Sequence, residues 1–274
     1  MERFALAAAM VLGFALTAAL CSLFVPLRRV LERREQQQQP VQSEQPRPAP
    51  LRAPLWGGLC AAAGTVAAVG VGWLAACVGQ PELLGSGGRL MTRLLTALAG
   101  SLAFGAVGLA EDLARMRSPA ALGLRRDVRL LLEALAAAFV LLLLQAAGCL
   151  PRGLDVPGAG YVLLGSAVPF LWAVLMVALA ECARIAERDE GTVCGAAFVA
   201  MLALMMAEAG LGVPGLAVLP AALAGALVAL LLWAFPPARL GVGCCGSLLA
   251  AGAIGCIPLS LDMTSLTVPL ALPF

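Results

Sequence analysis

A chain of 274 residues that is 61% hydrophobic and 12% charged, with a mean hydropathy of +0.95, does not have the composition of a soluble domain. Such a domain carries about 45–50% apolar and about 25% charged residues, so the surroundings of most of this chain are lipid. All 18 basic residues are arginine, and lysine, histidine and asparagine are absent. That removes a P-loop, a Schiff-base lysine, Ser-His-Asp and Cys-His catalysis and every histidine-bound metal, and a net charge of +2 gives no reason to expect a nucleic-acid partner.

In chain order, eight apolar stretches are each long enough to cross a bilayer, which takes about 20 residues. They are Phe4–Leu27, Leu55–Val78, Leu90–Ala110, Val128–Leu150, Tyr161–Ala180, Thr192–Ala209, Gly215–Phe235 and Gly241–Leu261. The expected fold class is an all-α integral membrane protein of about eight transmembrane helices in a single polytopic domain, residues 1–274. The first stretch exceeds the roughly 7–15 apolar residues of a secretory signal, and Leu20 before Cys21 does not suit lipoprotein cleavage, so it is expected to stay as an anchor. Between the first and second stretches, Glu35–Pro50 reads EQQQQPVQSEQPRPAP. It lacks apolar residues to bury and is expected to be a disordered cytoplasmic linker.

Arginine placement orients the chain. Connections one, three, five and seven hold 14 of the 18 arginines, which places those connections in the cytoplasm and both termini outside. The expected location is the plasma (inner) membrane, multi-pass. Of the nine cysteines, Cys21, Cys60, Cys77 and Cys256 lie within apolar runs, and no C-x-x-C pair exists to seed a zinc or redox site, so they read as small apolar filler.

The acids gather on the arginine-rich side. Glu111-Asp112 closes the third stretch, and Glu181, Glu187, Asp189 and Glu190 follow the fifth. Carboxylates brought from different helices to one membrane face are what a magnesium-diphosphate site needs. The same acids, next to Arg115, Arg184 and Arg188, also read as solvated ion pairs at the headgroup level. Spacing leaves both readings open.

Four cytoplasmic segments together resemble the polyprenyl-phosphate N-acetylhexosamine-1-phosphate transferase family, nearest to the phospho-N-acetylmuramoyl-pentapeptide transferases of peptidoglycan synthesis. APLWGGL (Ala53–Leu59) lies where that family has a TPTMGG-type motif. GLAEDLARMR and GLRRDVRLLLE (Gly123–Glu133) are similar to its GxxDDxxK and GL…K-LLLQ segments, and ECARIAERDEG takes the place of its NxxNxxDGLDG loop. WAFPPARLGVGCCGSLLAAG (Trp233–Gly252) is similar to its N-x-P-A…MGDTGSL segment. Order, sides and separations agree along essentially the whole chain.

The resemblance implies Mg²⁺ as cofactor and transfer of a phospho-N-acetylhexosamine from a UDP-amino-sugar to polyprenyl phosphate, in association with the bilayer and with envelope-synthesis proteins. It puts Glu111 and Asp112 in the catalytic role, Asp112 also as metal ligand, and Glu187, Glu190, Arg52 and Arg239 at the substrate phosphates. The sequence departs from the pattern at the chemistry. Glu111 replaces the first aspartate of the pair. The loop asparagines fall on Glu181 and Arg184, its aspartates on Glu187 and Glu190, and the asparagine before the prolines is Ala234. The magnesium-binding aspartate of MGDTGS is Cys244, a soft and mostly neutral thiol where a hard oxygen is required. The family pattern also continues beyond the position of Phe274 into further spans and a histidine-containing loop. Three expectations follow: an active transferase, a degenerate member that persists as a membrane scaffold or lipid-phosphate-binding protein with impaired or lost turnover, and, more weakly, a small transporter. Convergence of Glu111, Asp112, Glu187 and Glu190 with Cys244 in one cleft favours the first, and acids tied up by arginine favour the second.

Overall fold

The computed structural model describes residues 2–38, 56–79, 89–117, 123–150, 153–156, 160–163, 165–187, 191–210, 215–235 and 240–260. Among these residues eight α-helices carry the fold: α1 (Glu2–Gln38), α2 (Gly57–Gly79), α3 (Arg89–Arg117), α4 (Arg126–Ala146), α5 (Val168–Ala186), α6 (Thr192–Gly210), α7 (Val218–Ala234) and α8 (Gly243–Ser260). Six of them are long and apolar enough to cross a membrane, α4 and α7 being the others. The chain is a helical multi-pass membrane protein, and among the described residues each apolar stretch of the sequence is matched by a helix.

Two expectations meet a different backbone. The stretch expected to span from Tyr161 begins as a β-hairpin: β1 (Gly153–Val156) pairs antiparallel with β2 (Gly160–Leu163), and a short 3₁₀ turn at Gly165–Ala167 leads into α5. GLDV and GYVL are short runs with β-branched or aromatic residues around a Pro-Gly turn signal, and Pro169 sits in the first turn of α5, where a missing N–H costs nothing. At the other correction, α1 runs on through Glu35–Gln38, the first part of the segment expected to be unstructured; residues 39–50 lie outside the described residues.

The core sits on α8. Every residue of this helix is buried, and it packs against α2, α3, α5 and α6, while α7 is enclosed by α1, α2 and α6. Both helices are built from small residues, as in GCCGSLLAAGAIG and PAALAGALVA. In lipid there is little hydrophobic gain from helix association, so close backbone approach has to supply the packing.

On α4 the usual amphipathic pattern is inverted. Its buried face carries Arg129 and Glu133 with Ala136, Ala137, Val140 and Leu144, whereas Val128, Leu131, Leu135, Phe139 and Leu142 are exposed. A helix that turns Leu and Phe outward and its ion pair inward is solvated by acyl chains. Phe139→Arg therefore places a charge on the lipid face near the middle of α4. The expected cost is about 2.5–3.5 kcal/mol of insertion free energy, read as a reduced integrated fraction in a translocon reporter assay.

Candidate active site

One end of the bundle collects the C-terminal ends of α3 and α5 and the N-terminal ends of α2, α4 and α8. The α8 end is set by Gly243, whose φ of +71° turns the chain sharply into the helix. Just before that turn, the carbonyls of Gly241 and Val242 accept hydrogen bonds from the N–H groups of Gly57 (3.2 Å) and Gly58 (2.9 Å). The first turn of α2 is thereby satisfied by the segment that leads into α8, and the APLWGGL and GVGCCGSL segments meet through the backbone. Phe24 of α1 stacks on Trp56 at 5.7 Å between ring centroids, which closes the same corner.

The first turn of α8 has its own orphan donors, and Asp112 of α3 takes two of them. Its Oδ1 accepts from the Cys244 N–H at 3.0 Å and its Oδ2 from the Cys245 N–H at 2.9 Å. A carboxylate at a helix N-terminus is stabilised both by these bonds and by the helix dipole, so a residue from another helix acts as the cap. The approach is possible because position 108 is glycine: a Cβ there would collide with the backbone of Cys244 and Cys245.

Around this cap lies a charged network. Glu187, just past α5, accepts at Oε2 from the Cys244 thiol (3.0 Å) and from the Ser247 hydroxyl (3.3 Å). Arg115 pairs with Glu111 at 2.8 Å, one helical turn away, and its other nitrogen stands 4.0 Å from Glu187 Oε1. Arg129 of α4 lies 2.9 Å from Glu181, 3.7 Å from Glu111 and 3.9 Å from Glu133, and Arg184 closes on Glu181. Burial decides the character of the network. Glu111 and Asp112 are 2% and 1% exposed, so their charges rest on these partners rather than on water.

Of the residues singled out in the sequence, Glu111, Asp112, Glu187 and Cys244 come together. Glu190, Arg52 and Arg239 lie outside the described residues. Convergence and arginine pairing, expected as alternatives, occur together. Arg129, Glu133 and Ser247 were not picked out as site residues, although Arg129 and Glu133 stand four apart on a helix and Arg115 stands four after Glu111, the spacing of paired charges on one face.

The donors present do not make a magnesium cage. Mg²⁺ demands near-octahedral oxygen coordination. Here both Asp112 oxygens point at amide hydrogens, and Glu187 Oε2 is engaged by a thiol and a hydroxyl. Glu111 Oε1 is held by two guanidinium groups. Glu111 Oε2 is buried without a hydrogen-bond partner and Glu187 Oε1 meets only the Arg115 guanidinium at 4.0 Å, so two oxygens from two residues are left, short of an octahedral set. Among the described residues no three of the Cys, Asp and Glu side chains are arranged to hold a metal ion.

Residues 94–262, which include most of α3, all of α8 and every described member of the network, match the family model for glycosyl transferase family 4. The chain belongs to that family. Among its relatives, the phospho-N-acetylmuramoyl-pentapeptide-transferase of Geobacillus kaustophilus is 26% identical over 271 residues, covering 98% of this chain and 79% of the relative. The enzyme of the same name from Desulforudis audaxviator is 32% identical over 170 residues, 58% of this chain and 50% of the relative. That of Mycobacterium bovis is 29% identical over 243 residues, 80% of this chain and 65% of the relative. Matched regions thus span from half to about four-fifths of these relatives' length.

Asp112→Ala leaves two helix-terminal N–H groups buried and unsatisfied. The expected loss is about 2–4 kcal/mol of stability, measured as a lower unfolding midpoint in detergent, with Asp112→Asn losing less because its carbonyl keeps one bond. Gly108→Val should be at least as damaging, by forcing α3 away from α8.

Proposed function

We propose that this protein is a membrane-embedded homologue of the phospho-sugar transferases, seated in the plasma membrane with its charged network at the cytoplasmic face, that binds a polyprenyl phosphate and has impaired or lost transfer of phospho-N-acetylhexosamine from a UDP-sugar. The membership of the family and the convergence of Glu111, Asp112 and Glu187 at one end of the bundle support the substrate class. A single observation carries the loss of turnover: the acids at the family's catalytic positions already have partners, and the one replaced by Cys244 is a thiol that donates to Glu187.

A general base must have a free oxygen within reach of the proton it removes. Asp112 has neither oxygen free. Among the described residues of the network, the cation best placed to meet a phosphate is Arg115, whose side chain is one-quarter exposed and whose guanidinium already spans Glu111 and Glu187. A phosphate approaching it would compete with those carboxylates, which suits retention of an anionic headgroup more than a fast reaction at it. A bound magnesium ion would supply charge neutralisation of a diphosphate in a catalytically complete member of the family.

The convergence of the same acids favours a second reading, an active transferase, and one assay separates the two. Purified protein is given radiolabelled UDP-N-acetylhexosamine, undecaprenyl phosphate and Mg²⁺, and UMP release is followed beside lipid retention by native mass spectrometry. Retention of the lipid phosphate with turnover far below about 1 per second is expected. Turnover at or above that rate establishes the active transferase, and neither retention nor turnover removes the substrate class. The arginine asymmetry gives a separate expectation: reporters fused at either terminus should report the extracytoplasmic side, and a cytoplasmic C-terminus overturns the orientation.

A further inference from the structure

Carboxylates drawn from separate helices into a dry site repel one another, and something electropositive has to stand among them. In the family that is expected to be a metal ion. In this chain the positions are taken by groups that belong to the polypeptide. The Cys244 and Cys245 amides face Asp112, and the Cys244 thiol and Ser247 hydroxyl face Glu187. Arg115 stands between Glu111 and Glu187, and Arg129 reaches Glu111 from α4. Of the six oxygens of Asp112, Glu111 and Glu187, Glu111 Oε2 is buried without a hydrogen-bond partner and Glu187 Oε1 meets only the Arg115 guanidinium, at 4.0 Å.

We infer that the junction of α3, α5 and α8 in this protein is closed by its own hydrogen-bond donors and guanidinium groups, so that a divalent cation neither binds there tightly nor holds the helices together. The inference rests on the family reading only for where a cation would otherwise be expected. Cys244 is the residue on which it turns. As a thiol it donates a hydrogen bond to Glu187 and adds no charge. An aspartate in its place would accept only, and would face Glu187 while standing beside Asp112. A fourth carboxylate would then join those of Asp112, Glu111 and Glu187, and the same pocket would need a cation to stay closed. A serine would keep a neutral donor and leave the balance as it is.

The test uses the full chain in detergent and reads stability and metal binding rather than activity. Thermal unfolding is recorded in Mg²⁺ and in chelator for the parent, Cys244→Ser and Cys244→Asp, and Mn²⁺ binding is titrated by electron paramagnetic resonance. For the parent and Cys244→Ser the midpoint is expected to be the same in both media, with no Mn²⁺ bound more tightly than about millimolar. Cys244→Asp is expected to unfold several degrees lower in chelator, to recover in Mg²⁺ and to bind Mn²⁺ at least ten times more tightly than the parent. If that variant does not accumulate without metal, it is prepared in Mg²⁺ and its unfolding followed after chelation, where the same loss is expected. A parent midpoint that falls on chelation, micromolar Mn²⁺ binding by the parent, or a Cys244→Asp chain as stable in chelator as the parent would each overturn the inference. Absence of lipid retention or of transfer leaves all of these readouts unchanged, so failure of the functional reading is distinguishable from failure of this one.

Discussion

The arrangement depends on one pair of hydrogen bonds. Asp112 gives both carboxylate oxygens to two amides in the first turn of α8, and in doing so ties the end of the third helix to the start of the innermost one. In water such a cap is worth about 1 kcal/mol. Inside a bundle surrounded by lipid, neither the amides nor the carboxylate has water as an alternative, and breaking the contact exposes all of them at once. Because α8 is buried throughout and touches α2, α3, α5 and α6, its placement fixes theirs. The glycines of the crossing follow from this. Gly108 lets α3 come close enough for the carboxylate to reach, and Gly243 turns the chain so that its amides face the carboxylate.

The same low dielectric accounts for the rest of the network. Glu111, Glu133 and Arg129 are buried, and a buried charge without a partner is far more costly than a buried pair. Two arginines of the cluster therefore serve more than one acid: Arg115 meets Glu111 and Glu187, and Arg129 meets Glu111, Glu133 and Glu181. The result links α3, α4, α5 and α8 by charge at one end of the bundle, while the lipid-facing sides of α2 and α4 present Val, Leu and Phe. Chemistry and architecture meet in this cluster. In the reading proposed above, groups that a transferase would keep free for substrate are here groups that tie helix ends together.

Most of the fold was legible in the sequence because hydropathy is a local property. Among the described residues the eight apolar stretches correspond to eight helices, with ends displaced where charged segments such as Glu111–Arg117 extend the helix past the membrane-length run. The exceptions have local causes too. The GYVL run is apolar enough to resemble the start of a span, but the Pro-Gly pair before it in the sequence favours a hairpin with GLDV. Around Glu35 a polar composition was read as loss of structure, whereas a helix already formed over more than thirty residues extends through Gln38 at little cost, because propagation is far easier than nucleation.

By itself, the sequence determined that the chain lives in a bilayer, where its helices lie, that its chemistry excludes lysine and histidine, and that a thiol stands where the family pattern has an aspartate. Those are matters of residue type and of contacts within a few turns. Only the tertiary structure decided what the acids do. Asp112 and Cys244 are 132 positions apart, and Glu187 is 57 positions from Cys244, so no spacing rule connects them. Whether a carboxylate is free to bind a metal or is already bonded to an amide, a thiol or a guanidinium depends on which helix ends come within 3–4 Å of one another, and that is set by small-residue packing around α8 rather than by any motif.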